Sequence, residues 1–71
     1  MANTELIRVE ERPDGRLLFN VRVTGTAGRI ELPIAIRDQG SNTSNETAVF
    51  QCALDFAREL EAAFRLRLGV K

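Results

Sequence analysis

Seventy-one residues, in which ten acidic side chains balance ten basic ones, hold one domain and no second core. The lack of histidine and the single cysteine exclude an intrachain disulfide and the histidine-dependent catalytic triads and dyads, and argue against a zinc site. Zero net charge without Trp or Tyr also argues against a nucleic-acid partner, which calls for a basic excess and stacking platforms.

In chain order, "TELIRVEER" (residues 4–12) alternates as a first strand, with Ile7 and Val9 on one face and Leu6, Arg8 and Glu10 on the other. "PDG" follows. Pro13 presets the first turn position, Asp14 suits the second and Gly15 takes positive φ, which makes a three-residue hairpin loop closed by Arg12 and Arg16. "RLLFNVRVT" (16–24) is the second strand, with Leu17, Phe19, Val21 and Val23 on a single face. If Arg12 faces Arg16, Val9 meets Phe19 and Ile7 meets Val21, so both apolar pairs share that face.

"GTAG" (25–28) is a four-residue loop with Gly28 at positive φ, closed by Thr24 and Arg29. The third strand, "RIELPIAIR" (29–37), then sets Val23, Val21, Phe19 and Leu17 opposite Ile30, Leu32, Ile34 and Ile36. Pro33 falls in its middle. A proline cannot donate to a ladder, so this strand belongs at an edge, where the proline also hinders another strand from adding. The first strand has no such block, and its Leu6, Arg8 and Glu10 mark a candidate edge for strand pairing.

"DQGSNTSN" (38–45) reads as a polar connecting loop, with Thr43 and Glu46 as a capping box or Ser44 or Asn45 as N-cap. Its two glycosylation-like triplets, at Asn42 and Asn45, read as loop and cap residues. From about residue 45 to 68 there is no Gly or Pro. Val49, Ala53, Phe56, Ala57, Leu60, Ala63 and Phe64 recur at three- and four-residue steps, which marks one long amphipathic helix ended by Gly69. Asp55 and Glu59 read as a solvated polar face, and Cys52, on the flank of the apolar stripe, as a buried or half-buried small hydrophobe.

These elements make a single α+β domain over residues 1–71, a three-stranded antiparallel meander in the order 1-2-3 with a C-terminal helix across its apolar face. A chain this short buries only about 60% of the surface its unfolded form exposes. Oligomerisation is the remedy left to it. The helix is longer than the sheet and its apolar arc is too wide for one sheet, bordered by Phe50, Leu54, Ala57 and Leu68 on one side and Cys52 and Ala63 on the other. Phe50, Leu54, Phe64, Leu66 and Leu68 are therefore the candidate protein interface.

The order of a "DG" hairpin, a strand, a polar loop and an alanine-rich helix resembles, over about fifty residues, the small antitoxins of the HicB type. That likeness rests on no specific motif and transfers no residue roles; it implies a nucleic-acid-associated accessory or antitoxin-like regulator. Double-stranded-RNA-binding domains also place three strands before a helix, but they begin with a further helix and carry a lysine cluster where this helix has "ETAVFQCA". The residues themselves imply a non-catalytic interaction module, homodimeric or an adaptor for another protein, with no cofactor, metal or catalytic residue. "MANTELIRVE" has no hydrophobic leader segment and no apolar run reaches bilayer length, so the expectation is a cytoplasmic protein without a membrane partner.

Overall fold

The computed structural model describes residues 2–69. In it β1 (Asn3–Glu11), β2 (Arg16–Gly25) and β3 (Gly28–Arg37) precede one helix, α1 (Asn42–Leu68). The strands form an open antiparallel sheet in the order β1-β2-β3, so the chain has the α+β meander-plus-helix fold that its pattern predicts.

The β2–β3 hairpin keeps the expected register throughout. Val21 pairs with Leu32, Phe19 with Ile34 and Leu17 with Ile36, and Pro33 stands opposite Asn20 on the edge strand. Pairing runs one step further than expected, to Gly25 and Gly28, so Thr26 and Ala27 alone make the turn. Gly28 has φ 139° and Gly15 has φ 86°, both positive as the two loops require.

The β1–β2 hairpin departs from expectation. Its turn is as predicted: Arg12 N–H donates to Arg16 O at 2.7 Å, Gly15 N–H to Arg12 O at 3.0 Å, and Asp14 Oδ1 accepts from Arg16 N–H at 3.0 Å. Between Arg8 and Glu10, however, the register shifts by one at a bulge, which leaves Val9 without a partner. Leu6, not Ile7, then meets Val21, and Arg8, not Val9, meets Phe19. Ile7 and Val9 are consequently exposed while Leu6 packs against the core. The physical reason lies in the adjacent apolar pair Leu6-Ile7. Either parity offers a hydrophobe to Val21, so the alternation does not fix which face is inward.

The helix starts three residues earlier than read from the sequence. Ser41, with φ −150° and ψ 156°, is the N-cap, and its Oγ accepts from Ser44 N–H at 3.1 Å. Thr43, Ser44 and Asn45 are thus inside the helix, the connecting loop is 38–41, and both glycosylation-like triplets lie in the first two turns. Gly69 ends the helix at φ 77°, its N–H reaching Leu66 O at 3.2 Å. Arg65 and Arg67 in the last turn complement the helix dipole.

The buried hydrophobic core is small. Leu17, Phe19 and Val21 of β2 and Ile36 of β3 meet Val49 of α1, with Leu6, Val23, Leu32, Ile34 and Ala48 packed around them. On the opposite face of the sheet, Arg22 sits between Glu31 (Nε to Oε1, 3.0 Å) and Glu5 (Nη1 to Oε2, 3.7 Å), one carboxylate from each neighbouring strand. That cross-strand ladder of charges belongs to a solvated face.

Candidate protein interface on the helix

The helix has few partners in its own chain. Asn45 and Val49 are its only buried residues among those described, Ala48, Ala53 and Leu60 are half-buried, and every described residue beyond Leu60 is exposed. At about 100° per residue, two apolar rows run along it side by side. The first, Val49, Ala53, Phe56, Leu60 and Ala63, faces the sheet and supplies the core contact. Yet Phe56 on this row is 50% exposed, because the sheet's apolar face ends before the helix does.

One residue further round, Phe50, Leu54, Ala57, Glu61, Phe64 and Leu68 form the second row. Their steps of four and three residues are the 3.5-residue period by which one helix packs along another. No strand covers this row. Phe50 is 38%, Leu54 46%, Phe64 59% and Leu68 78% exposed. Glu61 interrupts it, with its Oε2 2.8 Å from Arg65 Nε. Arg58, beside the row, lies 4.0 Å from Asp55.

Of the five residues expected to line an interface, Phe50, Leu54, Phe64 and Leu68 share this row. Leu66 does not: two residues from Leu68, it projects about 160° away on the opposite flank, although it too is exposed. Sequence reading missed that Glu61 belongs to the row and that Arg58 borders it, which the unbroken four-three spacing from Phe50 to Leu68 reveals.

The three residues expected at a pairing edge divide between faces. Leu6 and Arg8 share the helix side with Val21 and Phe19, and Glu10 pairs with Leu18 on the other side. The bulge at Val9 causes the division. Cys52 is exposed rather than buried, since it sits on the flank of α1 past the edge of the core.

A shallow groove between β1 and the start of α1 is lined by Leu6, Arg8, Phe19, Asn42, Asn45 and Glu46. Nearby, Asp38 Oδ1 accepts from Gly40 N–H at 2.9 Å and from Asn45 Nδ2 at 3.3 Å. Those hydrogen bonds, with a smaller contribution from the Arg8 cation, hold the Asp38 carboxyl below its ordinary value. They fasten the loop and assemble no reacting constellation. Among the described residues no three His, Cys, Asp or Glu side chains converge as metal ligands would, and no helix is long and apolar enough to cross a membrane. Asp55 accepts from Gln51 Nε2 at 3.2 Å within its own helix. Comparison of the chain with protein-family models, with curated proteins and with solved structures returned no match.

Proposed function

We propose that this chain is a small non-catalytic interaction module that works as a homodimer in the cytoplasm. One observation carries the reading. A compact monomer of 7.9 kDa exposes about 4,400 Å². This chain exposes 5677 Å², an excess of roughly 1,300 Å² over that norm, and the large exposed hydrophobic side chains cluster on α1. A row of exposed large apolar side chains along one helix supports a protein partner. The exposed thiol of Cys52 suits a reducing compartment.

The regulator that binds nucleic acid is the weaker reading. Net charge is zero, and Arg12, Arg16, Arg22, Arg58 and Arg65, five of the ten basic residues, each lie within 4.0 Å of a carboxylate, which argues against the basic excess such a partner calls for. Light scattering on the eluting protein at micromolar concentration tests the proposal. A mass of about 16 kDa, twice the chain's 7.9 kDa, is expected. A mass of one chain overturns it, and retention on heparin that falls steeply with salt would favour the regulator.

A further inference from the structure

We infer that two copies of this chain pair through α1 in antiparallel orientation along the Phe50–Leu68 row, with Ala57 and Glu61 at the two-fold axis. The inference rests on the homodimer reading above and adds the surface, the direction and the register to it. Three observations favour a second copy as the occupant. The row spans eighteen residue steps, about 27 Å of helix. Its four large apolar side chains, Phe50, Leu54, Phe64 and Leu68, are all exposed, and a second helix of the same spacing laid along the row would cover them together. A chain of zero net charge also meets its own copy without long-range repulsion.

Size and charge then choose the direction. In the antiparallel register Phe50 meets the partner's Leu68, Leu54 meets the partner's Phe64, and Ala57 meets the partner's Glu61. The methyl of Ala57 leaves room for the glutamate, and the partner's Arg58 lies on the flank directly beside Glu61. That second guanidinium joins Arg65, which already holds one carboxylate oxygen at 2.8 Å. The surface is therefore self-complementary, as a two-fold interface requires. In parallel register each residue would meet itself, setting Glu61 against the partner's Glu61 and Ala57 against the partner's Ala57. Arg58 and Arg65 would then flank Ala53 and Leu60 of the partner, with no acid to meet. Opposed helix dipoles favour the antiparallel pair as well.

Cysteine cross-linking in a Cys52→Ala background tests direction and register together. Phe50→Cys and Leu68→Cys chains, both altered at exposed positions, are oxidised with diamide separately and as an equal mixture, and the products weighed. The mixture should give the disulfide-linked pair of unlike chains at roughly ten times the yield of either variant alone, because thiols far apart cannot join. The Leu54→Cys and Phe64→Cys pair should behave alike, which guards against a local disturbance at either end. Cross-linking of each variant with itself overturns the antiparallel register. Absence of any cross-link while the unaltered chain weighs two copies overturns the row as the interface and leaves the homodimer standing. A single-chain mass overturns both. In the same assay Leu54→Glu should weaken association by roughly 100-fold or more, the effect of a buried unpaired carboxylate, whereas Leu66→Glu should change it by less than about threefold.

Discussion

Asn45 fastens the start of α1 to the end of β3. Its Oδ1 accepts from Gln39 N–H at 2.7 Å, its Nδ2 donates to Asp38 Oδ1 at 3.3 Å, and only 4% of the residue is exposed. Asn45→Ala leaves a partly buried amide without its acceptor and should cost about 2 kcal/mol in urea unfolding. Asp38 adds a pH dependence. Its carboxyl titrates below the ordinary 3.8 in the folded chain, so the stability it supplies is complete above that pH and disappears as pH falls through the lower folded value. Stability relative to Asp38→Asn should therefore be constant from about pH 5 to 8 and decline below about 3.8. At Gly15 and Gly28 an added Cβ would meet nothing within 4 Å, so any cost of substitution comes from the backbone alone. With φ at 86° and 139°, alanine at either position should destabilise by about 1 kcal/mol or more.

At the scale of elements, β1 differs most from its sequence pattern. Val9 is an extra residue between two stretches that pair correctly on either side of it. Deleting Val9 should therefore leave a straight strand with the same inward residues and a folded protein, visible as retained amide protection along Leu17, Phe19 and Val21. Deleting Asn20 from the central strand would turn half of β2 over and should unfold the chain. The same contrast explains how much could be read from residues alone. The β2–β3 register was legible because four alternating hydrophobes on each strand admit one parity. The β1 register was not, since Leu6-Ile7 satisfies both parities and the bulge resolves the choice through packing. The helix start was missed because Asn42, Thr43, Ser44 and Asn45 are cap-type residues in a row, and the hydroxyl that caps belongs to Ser41. Phe50, Leu54, Phe64 and Leu68 were legible as an apolar border, while the place of Glu61 among them shows only when the four-three spacing is followed through the polar residue.

As a whole molecule the chain is too open for its size. Its radius of gyration is 13.9 Å, where a compact domain of this length has about 11 Å. Its 42 Å long axis matches the roughly 40 Å length of a 27-residue helix. Among the described residues the core behind that helix holds five buried hydrophobic side chains, of which α1 supplies Val49. Such a helix is held at its first turns, and its own chain leaves the rest of its apolar surface uncovered. Val49→Ala should cost about 2 kcal/mol by truncating the one anchor at the core. Whether a second copy completes the fold is read from urea unfolding across a hundredfold range of protein concentration. If folding and association are one equilibrium, mass action adds about 2.7 kcal/mol over that range and the midpoint should rise by about 1 M urea. A midpoint that stays constant with concentration would mean that the single chain folds without a second copy.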